Sequence, residues 1–88
     1  MTEKKSLAIS VTFVEDERHT EATARIEIGG AEYSGAGVAR RNPEDPNVPT
    51  IGEELATARA LSDLSHRLVD AATSTLEDAL GRPVSIDG

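Results

Sequence analysis

The sequence predicts an α+β fold in which a three-stranded antiparallel sheet is followed by one long helix. Residues 7–14 and 20–28 alternate between apolar and other side chains, with the two-residue period of half-buried strands. Gly29-Gly30 supplies the positive φ angles that a tight hairpin needs before a third strand. From residue 51 to residue 80, apolar side chains recur at steps of three and four, which is the period of a helix.

These patterns divide a single 88-residue domain into consecutive parts. Residues 1–6 are polar and predicted to be frayed, and residues 7–41 form the sheet, with a charged loop of about three to five residues after strand one. Residues 42–50 form a proline-rich loop, 51–80 the helix and 81–88 a tail. Within the tail, residues 84–86 alternate and could add a short edge strand.

The hairpin at Gly29-Gly30 also fixes the predicted register of strands two and three. It places Ile28 opposite Ala31, Ile26 opposite Tyr33, and two alanines opposite two glycines, Ala24 with Gly35 and Ala22 with Gly37. The inward face of strand three is then Tyr33, Gly35, Gly37 and Ala39. This nearly bare end of the sheet would let a helix backbone approach closely.

The helix is predicted to begin with a capping box of Thr50 and Glu53, and to end before Gly81 and Pro83. The residues predicted to face inward are Ile51, Leu55, Ala58, Leu61, Leu64, Leu68, Ala72, Leu76 and Ala79, with Val69 and Leu80 beside them. A helix over 51–80 is about 45 Å long, whereas strands of seven to nine residues span roughly 23–30 Å. Either the helix breaks near Ser62 or Ser65, or its distal half packs on a second copy; we favour a homodimer.

Composition narrows the classes of function. The chain has no cysteine and no apolar segment of transmembrane length or signal-peptide form, so we expect a cytoplasmic protein with no membrane contact. Its net charge of −7 repels phosphate backbones, and Phe13 and Tyr33 are its only aromatic side chains for stacking on bases. RNA binding would therefore need a local basic patch.

No group of residues forms a recognisable catalytic site. His66 lies between Asp63 and Asp70 at helical spacing, which is typical of ordinary surface pairing, and Glu53 and Glu54 are explained by their place near the helix start. The glycines at 29–30 and 35–37 lack the strand-to-helix context of a phosphate loop, and packing explains them better than a small-molecule site. We predict no enzyme activity, cofactor, metal site or small-molecule substrate.

Three arginines are the candidate binding residues: Arg25, Arg40 and Arg41. Together, or with the same residues of a symmetry mate, they could bind phosphate or an acidic partner. The structural alternative is that they pair with Glu44, Asp45, Glu53 or Glu54 and hold the proline loop against the helix start.

The segment from Gly35 to Leu64 carries a family resemblance. Its elements are Gly35-x-Gly37, Ala39-Arg40, Asn42-Pro43, Asp45, Val48-Pro49, Ile51-Gly52, Glu54-Leu55, Ala58-Arg59-Ala60-Leu61 and Asp63-Leu64. On these residues the chain resembles an actinobacterial family, the domain of unknown function 1876, some of whose members are associated with dormancy or stress. The resemblance covers residues 7–72.

The resemblance implies a fold like that of double-stranded-RNA-binding domains, and dimers likened to ribosome hibernation factors. It implies no catalytic or ligand-binding residue. The first functional hypothesis is therefore a non-enzymatic, dimeric stress or dormancy protein that acts on ribosomes or RNA. The alternative is an acidic module that binds another protein and no nucleic acid.

Overall fold

The computed structural model describes residues 2–85 and confirms the predicted α+β fold. Strands β1 (Ser10–Glu15), β2 (His19–Ile28) and β3 (Ala31–Arg40) form an antiparallel sheet in the order β1-β2-β3, and a single helix, α1 (Pro49–Leu80), follows. Within the described residues, no helix is long and apolar enough to cross a membrane.

Strand β1 is shorter than predicted. The alternation from Leu7 to Ile9 predicts strand, but the pairing with β2 begins at Ser10, opposite Arg25, and ends at Glu15, opposite Thr20. The next loop is Asp16–Arg18, within the predicted length, and its shape is set by Asp16, whose Oδ1 accepts hydrogen bonds from the amides of Arg18 and His19 at 2.7 and 2.9 Å. This turn lets β2 begin at His19, one residue earlier than predicted.

The predicted hairpin and its register are confirmed. Gly29 and Gly30 have φ angles of 60° and 81°, as a turn with two positive φ angles requires. Ile28 lies opposite Ala31, Ala24 opposite Gly35, and Ala22 opposite Gly37. The small residues of both strands therefore meet at one end of the sheet.

The predicted capping box is wrong. The helix begins at Pro49, with Val48 as N-cap and no side-chain hydrogen bond to the cap, so Thr50 lies inside the first turn and Glu53 lies beyond it. Proline explains the difference, because its φ angle suits the first helical position and its missing N–H would have no partner there. Thr50 is thereby displaced from the capping position.

The helix is continuous, which rules out a break near Ser62 or Ser65. The Ser65 hydroxyl donates to the Ser62 carbonyl at 2.8 Å, so it is satisfied within the helix. The helix ends as predicted at Gly81, which has a φ of 69° and donates its amide to the Glu77 carbonyl at 2.7 Å. Val84 and Ser85 form no strand, and Ile86, the third residue of the predicted edge strand, lies outside the described residues.

The buried face of the helix agrees only in part with the predicted one: Leu64 is buried and Leu68 packs against the core, as predicted, but other residues differ. Its buried residues are Ala56, Ala60 and Leu64, whereas Ile51 and Leu55 are 53% and 46% exposed. Gly35 and Gly37 cause this difference: a Cβ at Gly35 would lie 2.3 Å from the Leu64 amide nitrogen, and one at Gly37 would lie 2.4 Å from the Ala56 carbonyl oxygen. At such close range the alanines Ala56 and Ala60 fit against the sheet beside Leu64, and Ile51 and Leu55 are turned outward.

The core consequently lies under the first half of the helix. It consists of Ala22, Ala24, Ile26, Ala39, Ala56, Ala60 and Leu64, with Val11, Tyr33 and Leu68 packed around it. The helix rests on β3 and β2 and scarcely touches β1, and the molecule measures 54 × 30 × 19 Å. One sheet face, one sheet edge and the outer side of the helix therefore remain uncovered.

Candidate functional site

Arg41 has a structural role in the loops beside the sheet. Its Nε donates to the Glu17 carbonyl and its Nη1 to the Asp45 carbonyl, both at 2.9 Å. The side chain thus ties the proline loop to the β1–β2 loop. This resembles the predicted structural alternative, except that the partners are backbone oxygens and the loop is fixed to the β1–β2 loop instead of the helix start.

Arg25 and Arg40 lie on the sheet face that no helix covers. Arg40 is paired in register with His19, and Arg25 lies six residues further along β2, so roughly 20 Å separates their backbones. The Nε of Arg25 is 3.9 Å from a Glu32 carboxylate oxygen, a long and exposed ion pair. The structure therefore separates Arg25 from the other two candidate arginines, whereas Arg40 and Arg41 both line the cleft described below; their role in binding stays a prediction.

Helix side chains bond to two backbone groups on the outer edge of β3, which we call the closed edge. The Ala36 amide donates to Oδ2 of Asp63 at 2.9 Å, and the Val38 carbonyl accepts from Nη1 of Arg59 at 2.7 Å. These backbone groups would otherwise be available to an added strand. The hydrogen bond from the Ala36 amide lowers the pKa of Asp63 below its ordinary value. Arg67, whose Nε is 3.4 Å from the Asp63 carboxylate, makes a smaller contribution in the same direction.

The other edge, β1, is open. In an antiparallel strand, the N–H and C=O groups of one residue point to one side, and those of the next residue point to the other side. The backbone groups of Ala36 and Val38 point away from β2, and the strand register then fixes the direction of these groups in the other two strands. In β1 this pattern turns the groups of Val11 and Phe13 away from β2, and no strand lies there among the described residues. Their side chains share the helix-bearing face, where Phe13 is 42% exposed. The β1 edge thus combines free backbone groups with apolar side chains.

A cleft of about 530 Å³ lies where the sheet, the proline loop and the helix start meet. It is lined by residues 15–20, 39–41, 45–49, 51, 52 and 55. Its apolar wall includes Val48 and Leu55. A hydrogen bond with Glu53, together with smaller effects of desolvation and charge repulsion, raises the pKa of Glu15 above its ordinary value, opposed by a hydrogen bond from Thr20.

The glycines of β3 and the charged residues around His66 have structural explanations. Gly35 and Gly37 lie directly under the helix backbone, so the glycine patch has no room for a ligand. On the His66 face the ion pair joins Asp63 and Arg67, 3.4 Å apart, and the pairing of His66 itself with Asp63 and Asp70 stays a prediction. Among residues 2–85, no group of three or more His, Cys, Asp and Glu side chains could hold a metal ion.

Sequence reasoning missed the closed β3 edge and the cleft. Arg59 and Asp63 are four residues apart, which predicts one helix face, but not that this face meets a strand edge. The cleft is built from three separated segments, and no sequence spacing indicates their meeting.

The fold and surfaces define a small α+β protein with a one-sided sheet, one closed edge and one open edge. The chain belongs to the Rv2632c-like family, whose model matches residues 5–85. The family assignment supports the predicted resemblance at the level of an uncharacterised actinobacterial family.

Two mycobacterial relatives are similar to this chain over most of its length. The uncharacterized protein Rv2632c of Mycobacterium tuberculosis is 41% identical over 81 residues, covering 92% of this chain and 87% of the relative. The uncharacterized protein Mb1767 of Mycobacterium bovis is 41% identical over 78 residues, covering 89% and 83%. The crystal structure of Rv2632c matches with a TM-score of 0.83 and 39% identity, covering 93% of this chain and 98% of that one.

Proposed function

We propose that this protein is a non-enzymatic, cytoplasmic homodimer that binds another protein through the open β1 edge. The observation that carries the proposal is the contrast between the two sheet edges. Asp63 and Arg59 bond to the edge of β3, whereas Val11 and Phe13 leave backbone groups, and Phe13 also an exposed apolar side chain, available on β1. An extended partner segment with apolar residues at alternate positions would add a fourth strand.

Charge favours a protein partner over nucleic acid. The net charge is −7, and the arginines that could attract phosphate are dispersed or bonded to backbone carbonyls. Surface binding at a strand edge needs no catalytic group, which agrees with the absence of a recognisable catalytic motif from the sequence.

The experiment is a pull-down from lysate treated with nuclease, using wild type and two matched variants. Phe13→Lys places a charge on the open edge, and Val38→Lys places one beside the closed edge. We expect a protein partner to be retained by wild type and Val38→Lys and lost with Phe13→Lys, all three being folded by circular dichroism. Equal retention by both variants would show that the β1 edge is not used.

A ribosome-associated stress or dormancy role is the second candidate. It is favoured by one observation, that Arg25 and Arg40 lie on the same uncovered sheet face, and by the resemblance to dsRNA-binding folds that the sequence suggests. Co-sedimentation with ribosomes at low and moderate salt tests it, with an Arg25→Ala/Arg40→Ala variant as control. Absence of co-sedimentation at low salt would exclude this role.

The homodimer is supported by the length of the helix. Leu76 and Leu80 lie in its distal half, where the core has ended, and they are 40% and 48% exposed. Light scattering at tens of micromolar protein should give twice the 9.3 kDa mass of the chain. A monomeric mass at this concentration would contradict the proposal.

A further inference from the structure

The outer side of the helix carries a second apolar row. Ala60 faces the sheet, and at 100° per residue Ile51, Leu55, Leu76 and Leu80 all point within about 40° of the opposite direction. All four are between 40% and 53% exposed. These are large aliphatic side chains at the two ends of one face, and Ile51 and Leu55 also line the cleft at the helix start.

This row has the spacing of a coiled-coil seam. Its positions follow each other in alternate steps of four and three: Ile51, Leu55, Ala58, Ser62, Ser65, Val69, Ala72, Leu76 and Ala79. Such spacing keeps one face of a helix turned towards a partner helix. We call these nine residues, together with Leu80, the outer seam; none of them carries a charge, although the chain has 25 charged side chains of Lys, Arg, Asp and Glu.

The outer seam is self-complementary when two copies lie antiparallel. With a two-fold axis between Ser65 and His66, Ile51 meets Leu80 of the second copy and Leu55 meets its Leu76. The two large clusters on each helix are thus covered by the two on its partner, while the small residues at the centre let the helices approach. In a parallel arrangement the small central residues would also meet, but the axis would run along the helices and place both sheets side by side.

We propose that the homodimer forms through the outer seam as an antiparallel helix pair with its two-fold axis at Ser65. This inference rests on the homodimer of the proposed function and assigns its interface. A second copy is the occupant that this face fits, because an uncharged seam places no like-charged side chains directly against each other. The β1 edge remains free in this dimer for the proposed partner.

The expected affinity is moderate. The seam is about 44 Å long and a helix is about 10 Å wide, so the two copies together cover roughly 900 Å². This footprint is near the lower limit of specific interfaces, about 1,000 Å², and we therefore expect a dissociation constant in the micromolar range.

Cysteine cross-linking tests the arrangement directly, because the chain has no cysteine of its own. Ser65→Cys lies beside the proposed axis and should form an intermolecular disulfide in most chains under mild oxidation. Ala58→Cys lies on the same seam, but about 22 Å from its symmetry mate in the antiparallel dimer, and should stay uncross-linked. Cross-linking of Ala58→Cys to the same extent would instead indicate parallel helices and overturn the proposal.

A charged substitution provides the second measurement. Leu55→Lys affects two symmetric contacts and should weaken dimerisation about 30- to 100-fold in analytical ultracentrifugation. Val14→Lys, on β1 and away from the seam, is the matched control and should leave dimerisation unchanged. If wild type is a dimer, but Leu55→Lys does not weaken it and Ser65→Cys forms no disulfide, the interface lies elsewhere and the homodimer itself stands. If wild type is a monomer, both the proposed interface and the homodimer are overturned.

Discussion

Replacing Gly35 by alanine tests the close contact on which the fold depends. The new Cβ would lie 2.3 Å from the Leu64 nitrogen and 2.5 Å from the Ala60 oxygen, whereas ordinary contact begins at 3.4 Å. Because these atoms belong to the helix backbone, no side chain can rotate away, and the helix must retreat by about 1 Å. Overpacking of this kind costs about 1–3 kcal/mol and sometimes more, and we expect the free energy of unfolding to fall by about 3 kcal/mol.

That loss is large for this chain. A domain of this size has a free energy of unfolding of roughly 4–13 kcal/mol, and each kcal/mol lost lowers the melting temperature by about 4–8 °C. Thermal and urea unfolding followed by circular dichroism should therefore show a fall of about 12–24 °C for Gly35→Ala. Ser34→Ala, on the exposed face of the same strand, is the control and should change stability by less than about 0.5 kcal/mol. A Gly35→Ala protein within about 1 kcal/mol of wild type would refute the proposed backbone contact.

Three further substitutions test the core and the two shifted carboxyl groups. Leu64 is 2% exposed, so Leu64→Ala should lower the free energy of unfolding in urea by about 3 kcal/mol; a loss below about 1 kcal/mol would contradict its burial. The pKa of Asp63 is lowered in the folded protein, so Asp63 stabilises the fold above its ordinary pKa, and this stabilisation is lost as the pH falls through the folded-state value. Asp63→Asn should therefore be less stable than wild type at pH 7 and approach the stability of wild type in acid. The pKa of Glu15 is raised in the folded protein, so the protein loses stability as the pH rises through this raised pKa. Glu15→Gln should therefore be more stable than wild type at pH 7, and the difference should disappear below the ordinary pKa of a glutamate. Urea titrations across pH measure both effects, and an unchanged pH profile in either variant would contradict the assigned cause.

Local signals predicted much of the fold because they act over short distances. The alternation of Ala22, Ala24 and Ile26 depends on strand pleat alone, and Gly29-Gly30 defines the hairpin through backbone conformation. Gly81 ends the helix for the same local reason. The helix start was predicted wrongly because two local signals compete there, and the proline at position 49 prevails over Thr50.

The candidate site was less predictable than the fold. The sequence shows that Arg40 and Arg41 are adjacent, but successive residues on a strand point to opposite sides. Arg41 reaches carbonyls on two separate loops, and Arg25 lies far from both arginines on the open face. Contacts between segments distant along the chain, such as Asp63 with Ala36, depend on how the helix is docked.

Three strands, the register of their hairpin and a single long helix follow from local patterns in the sequence, which also indicated an uncharacterised actinobacterial family. Which side of the helix faces the sheet depends instead on contacts between segments far apart in the chain. A helix with apolar residues on two sides can pack through either, and the hydrophobic period alone favours the side with larger residues. Gly35 and Gly37 select the other side, because the close backbone approach places Ala56, Ala60 and Leu64 against the sheet and leaves Ile51 and Leu55 exposed. The larger side chains are consequently left on the outer seam, where a second copy can cover them.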